Sequence, residues 1–113
     1  MGAFYFDQII TSVEPLIVAK ANYKLFQNYP NPFNELTVIS YTLEVSARVS
    51  LEIYNMQGQE VWTLVDENQQ AGKHSVVWDG ENNSGNAVEP GVYFYQLKTA
   101  INFSKTKRMI LLK

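Results

Sequence analysis

The stretch WDGENNSGNAVEPG, Trp78 to Gly91, holds the densest set of side chains that could do chemistry. Asp79, Glu81, Asn83 and Ser84 are hard oxygen donors of the kind calcium takes. A helix-loop-helix calcium site wants glycine at its sixth position and a bidentate glutamate at its twelfth. Counted from Asp79, those positions hold Ser84 and Pro90, so the pattern fails. Asp79, Gly80, Asn83 and Gly85 are better read as residues that shape consecutive turns. His74 is the only histidine and cysteine is absent, so a histidine cluster, a thiolate site and a disulfide have no residues to draw on. Asp66 and Glu67 lie in a polar connection, and acid–base catalysis would need a pocket that shifts one carboxyl. We therefore expect a protein that is not an enzyme, with no cofactor and no metal site. Trp62, Tyr54, Tyr93 and Tyr95 offer one other chemistry, a flat platform on which sugars stack. Aromatic residues in strands are more often core or cross-strand pairs. Exposure of the rings separates the two.

The elements that must position these residues are strands. From Leu36 onward apolar residues recur every second position, and Gly, Asn, Asp and Pro fill the intervals. In TVISYTL, Ile39, Tyr41 and Leu43 share a face; in RVSLEIY, Val49, Leu51 and Ile53 do. The connection NMQGQE places Gly58 where a tight hairpin needs positive φ, which makes residues 48–65 the clearest hairpin. KHSVVWDG follows with His74, Val76 and Trp78 in phase, and Trp78 is the expected centre of the core. GVYFYQLKT opens at Gly91 and is bulky on both faces, so it should be central and covered on both sides. FSKTKRMILLK closes the chain. The fold expected is an all-β, Ig-like antiparallel β-sandwich of about seven strands.

The heptapeptide NYPNPFN, Asn28 to Asn34, holds two of the four prolines. Pro30 and Pro32 each fix φ and remove a donor, and bias Tyr29 and Asn31 toward extended backbone. The segment should be a stiff strap across the open end of the sandwich. Tyr29 and Phe33 would fill the gap between sheets, and the prolines would keep that edge from recruiting another chain.

The chain has 113 residues, enough for one domain with a real core, or for one domain plus a short appendage. A net charge of −2 and a pI near 5.3 argue against a nucleic-acid partner. No apolar run reaches the ~18 residues of a membrane span, and the start MGAFYFDQ lacks a basic n-region. Residues 1–24 read as an upstream linker or the tail of a preceding domain. Their apolar residues would add a strand to the sandwich edge or self-associate with another copy.

In order, LFQNYPNPFN, TVISYTL, VSLEIYNMQGQEV, AGKHSVVWDGENNSGNAVEPGVYFYQL and KTKRMILLK resemble the C-terminal sorting domain (Por secretion tail) of proteins exported by the type IX secretion system of Bacteroidetes-like bacteria. They also resemble the related Ig-like domain of flagellar hook-capping proteins. The resemblance spans residues 25–113; the family usually has proline after NPFN, where this chain has Glu35. It implies a non-catalytic sorting signal that directs an upstream, covalently linked cargo protein through the outer-membrane translocon. A surface peptidase would then remove it, and the product would be secreted or held at the cell surface after passing the periplasm and outer membrane. Translocon recognition would fall on the last strand: Lys105, Lys107, Arg108, Met109, Ile110, Leu111, Leu112 and Lys113. Basic residues would meet an acidic groove, while the apolar ones dock on the sandwich or the receptor. The alternative is a structural accessory module, of hook-capping type or a spacer, or a carbohydrate-binding sandwich.

Overall fold

The computed structural model describes residues 23–100 and 103–112. Among these residues seven strands form two antiparallel sheets: β1 Tyr23–Leu25, β2 Thr37–Leu43, β3 Ala47–Tyr54, β4 Glu60–Gln69, β5 Gly72–Trp78, β6 Gly91–Thr99 and β7 Ser104–Leu111. The three-stranded sheet has the order β1-β2-β5, and the four-stranded sheet β4-β3-β6-β7. This is the Ig-like sandwich that the period-two spacing predicts. Tyr23 and Lys24, grouped by sequence with the upstream segment, lie in β1 and register against Leu43 and Thr42. Residues 1–22, with the expected added strand or self-association, lie outside the described residues.

Alternation dictates the core. Ile39, Tyr41, Leu43, Val49, Leu51, Ile53, Tyr95 and Leu97 are all buried between the sheets. Each such aliphatic side chain contributes roughly 1.5–3 kcal/mol by leaving water. Trp78 lies at the centre as expected, with ring centroids 5.8 Å from Phe33 and 5.5 Å from Tyr93. Its indole N–H donates to the Glu81 carbonyl at 2.9 Å, which satisfies the one polar atom that burial would otherwise strand. β6 is central in its sheet, but only one of its faces is sealed. Tyr93, Tyr95 and Leu97 are buried, while Val92, Phe94 and Gln96 are half-buried, because nothing among the described residues packs over that outer face.

The β3–β4 hairpin turns at Gly58, whose φ is 82°. Asn55 holds the turn from one side chain: its Oδ1 accepts the N–H of Gln57 and of Gln59, both at 2.9 Å. The β4 partner of β3 carries register shifts that leave Leu64 and Val61 without a facing residue. Such bulges twist an edge strand away from flat pairing.

Candidate functional site

The strap is where the sequence places its unusual residues, and it is the joint of the molecule. At one end Tyr29 pairs with Val38 of β2, N–H to C=O in both directions at 3.0 and 2.8 Å. At the other, Phe33 makes a parallel bridge to Leu111 of β7. Its N–H donates to Ile110 at 3.0 Å, and its carbonyl accepts from Leu112 at 2.8 Å. Five residues thus carry the chain from the three-stranded sheet to the four-stranded one. Phe33 is buried against Trp78, as expected. Tyr29 is not: the residue is 79% exposed. The backbone pairing with Val38 turns that ring outward, so Phe33 alone fills the gap. The strap also bends at residues 30–32 and 34–35 rather than running straight, and both X–Pro bonds, Tyr29–Pro30 and Asn31–Pro32, are cis.

Polar groups fix it in place. Tyr95, on β6, reaches through the core so that its hydroxyl donates to the Phe26 carbonyl at 2.7 Å and accepts the Asn28 N–H at 2.8 Å. The Asn28 amide donates to Thr37 Oγ1 at 2.9 Å, and Thr37 in turn donates to the Pro30 carbonyl at 2.8 Å. Asn28 and Thr37 are buried, so each bond here replaces one that water cannot supply. Replacing Tyr95 by phenylalanine leaves the buried Asn28 N–H and the part-buried Phe26 C=O without this partner, and should cost roughly 1–3 kcal/mol by urea denaturation. Burial, the larger cause, raises the Tyr95 hydroxyl from 10.0 to about 12, against the lowering effect of the Asn28 bond. The folded value is the higher one, so its contribution is whole below pH 10 and is lost as pH rises toward 12. The urea midpoint should therefore fall across that window, and less steeply in the Tyr95→Phe variant.

β7 is the other half of this joint. Its outer edge is closed over its second half: Arg108 C=O accepts from Gln27 Nε2 at 2.7 Å, and Ile110 N–H donates to Asn31 Oδ1 at 3.0 Å. With the Phe33 bonds, that edge is paired from Arg108 to Leu112 by side chains and backbone of residues 27–33. The proposed recognition residues divide accordingly. Met109 and Leu111 are core residues, 0% and 1% exposed, and cannot meet a receptor while the sandwich is folded. Lys105 and Arg108 are exposed, Lys107 and Ile110 half-buried, and Leu112 is 53% exposed. Lys113 lies outside the described residues. Lys107 faces Tyr95 across the ladder and Arg108 faces Phe94, so the two cations project from opposite faces of the sheet. A single groove meeting all the basic residues together does not fit this strand.

The remaining sequence candidates sort cleanly. Loop 79–90 is organised by Asn82, which sequence reasoning passed over: its Oδ1 accepts from Ser84 N and Asn86 N at 2.9 and 3.0 Å. Gly80 and Gly85 take positive φ, and Val88 N–H returns to the Gly80 carbonyl at 2.8 Å. Gly91 opens β6 with φ of 145°. Among the described residues no three of His, Cys, Asp and Glu gather as metal ligands. Asp79 follows β5 directly, ahead of the turn that Asn83 and Ser84 form, and His74 stacks on Tyr41 at 5.3 Å while bonding the Gln70 carbonyl. The four-ring platform fails. Tyr93 and Tyr95 are buried, Trp62 packs against the core, and Tyr54 bonds Glu52 on the outer face.

A family model described as the FlgD Ig-like domain matches residues 34–102. The chain belongs to the FlgD Ig-like domain family. Among solved structures it is similar to FlgD from P. aeruginosa, at 30% identity and TM-score 0.55, covering 68% of this chain and 60% of that one. It thus spans less than two thirds of that relative. PorU from Porphyromonas gingivalis, described in its dimeric latent form, shares the fold at 19% identity and TM-score 0.68, over 84% of this chain and 10% of that chain. FlgD from Xanthomonas campestris shares it at 18% identity and TM-score 0.55, over 92% and 75%. No curated protein matches the chain.

Proposed function

We propose that this FlgD-type Ig-like domain is a non-catalytic structural module, a folded handle by which a larger protein is assembled or delivered. The family match over residues 34–102 carries this reading. FlgD from Xanthomonas campestris is described as capping the hook and essential for flagellar assembly, which is work of this kind. The strap and last strand suit a handle because they spend the backbone edge groups internally and leave a rigid surface. Deleting residues 23–113 from the parent protein should leave the activity of its other domains intact in vitro while abolishing its assembly or delivery. Intact delivery after that deletion would overturn the reading.

A finer reading makes the handle a type IX sorting signal, with translocon proteins and a surface peptidase as partners, an upstream cargo, and a secreted or cell-surface destination. The ordered motifs from NYPNPFN to KTKRMILLK favour it, together with a final strand whose outward residues Arg108, Ile110 and Leu112 lie on a locked edge. Residues 25–113 fused behind a periplasm-directed fluorescent protein in a type IX-competent bacterium should then carry fluorescence to the cell surface. Retention inside the cell would leave the structural reading alone standing. Self-association through residues 1–24 is the remaining partner proposal. Size-exclusion chromatography of the full chain beside one starting at Tyr23 tests it, and an unchanged oligomeric state would remove it.

A further inference from the structure

The outer face of β1, β2 and β5 carries a groove of about 550 Å³. Its rim and floor differ in chemistry. Phe26, 43% exposed, and Tyr29, 79% exposed, stand on one side as bare rings. The floor holds Ser40 and Ser75, whose hydroxyls lie 3.0 Å apart at facing positions of β2 and β5. Thr42 and Lys73 continue the same face in register. Lys73 is the one lysine or arginine lining the groove, and no carboxylate lines it among the described residues. Among the described residues β5 is an edge strand, so the groove they form opens to the side rather than ending in a wall.

Two features need explaining here. Tyr29 lies in a strap whose other ring is buried, yet its side chain is held outward by paired backbone that fixes its direction. The two serines are bonded to each other on a solvated sheet, where the hydroxyls keep further donor and acceptor capacity. Aromatic rings with converging hydroxyls are complementary to a pyranose, which has C–H faces and a hydroxyl rim, and a few placed polar groups are what orient a ligand in an apolar-lined cleft. A lysine in a groove that no described carboxylate lines favours negative charge.

We propose that this groove binds an acidic polysaccharide, its sugar rings stacking on Phe26 and Tyr29, its hydroxyls bonding Ser40 and Ser75, and its carboxylates pairing with Lys73. The side opening lets a long chain run past β5. This site lies on the sheet opposite the one to which Tyr93 and Tyr95 belong, and it is independent of whether the module serves in assembly or sorting.

Calorimetric titration of the full chain with oligogalacturonate, and with cellohexaose as the neutral counterpart, tests it. Binding should favour oligogalacturonate and weaken as salt rises. Tyr29→Ala should weaken it about tenfold or more, the loss of one stacking partner. Lys73→Gln should bring oligogalacturonate down to the affinity of cellohexaose. Both side chains are exposed, and unchanged circular dichroism of each variant would show that the fold is retained. Absence of heat and of amide shifts with either sugar at millimolar concentration would overturn the proposal, as would binding that survives Tyr29→Ala with Phe26→Ala. Equal affinity for the two sugars in the unmodified chain would overturn the role of Lys73 and of acidic selection.

Discussion

Trp78→Ala should lower the stability of the domain by roughly 3–5 kcal/mol, the range for truncating a buried aromatic. Trp78 is 1% exposed and touches Phe33 from the strap and Tyr93 from β6, so its loss opens a cavity where strap and sheets meet. The Glu81 carbonyl also loses its donor. For a domain of this size each kcal/mol moves the melting temperature by about 4–8 °C, so calorimetry should show a fall of roughly 12 °C or more. Trp78→Phe separates the two causes. It keeps much of the packing and removes the N–H, and should cost less than half as much. A fall of only a few degrees for Trp78→Ala would mean that the core lies elsewhere.

Truncation after Arg108 should do more, and unfold the domain. It deletes Met109 and Leu111, both core residues, at about 2–5 kcal/mol each for the side chains alone. It also strips the partners from Phe33 and Asn31, so the strap loses its anchor on the four-stranded sheet. The sum is comparable with the whole margin of about 5–15 kcal/mol that holds a domain folded. Loss of export after such a truncation would therefore say nothing specific about recognition. The informative variant is Arg108→Glu with Leu112→Ser, which changes exposed side chains and keeps every backbone bond to the strap. Under the sorting reading it should keep its melting temperature within a few degrees and reduce export several-fold. Export unchanged in that variant would move the recognition surface away from β7.

Much of this architecture is legible in the residues. Strict alternation in TVISYTL and RVSLEIY names the buried face without ambiguity, because a one-residue slip would bury Ser50 and Glu52. Gly58 announces its hairpin, and Trp78 its core position. The joint is harder to read. Asn31 bonds Ile110, 79 positions away, and Asn28 meets Tyr95, 67 away. Nothing local in NYPNPFN says that its asparagines serve the far end of the chain rather than a turn. Tyr29 misleads for a related reason. A large ring in a proline-rich strap suggests burial, but its direction is set by pairing with Val38, and that register is a tertiary fact. The groove beside it was invisible, because Phe26, Ser40 and Ser75 come together only through strand order. The last strand combines both cases: its apolar alternation is plain, yet which of its residues remain exposed depends on the strap.

Strap and last strand form one locked joint between the sheets. Native-state hydrogen exchange measured by NMR tests it most directly. The amides of Phe33, Ile110 and Leu112 should exchange as slowly as those of Leu51 and Leu97 in the central strands, and Asn31→Ala should speed Ile110 selectively. Exchange of all three at the rate of an open loop, in a domain whose central strands stay protected, would contradict it.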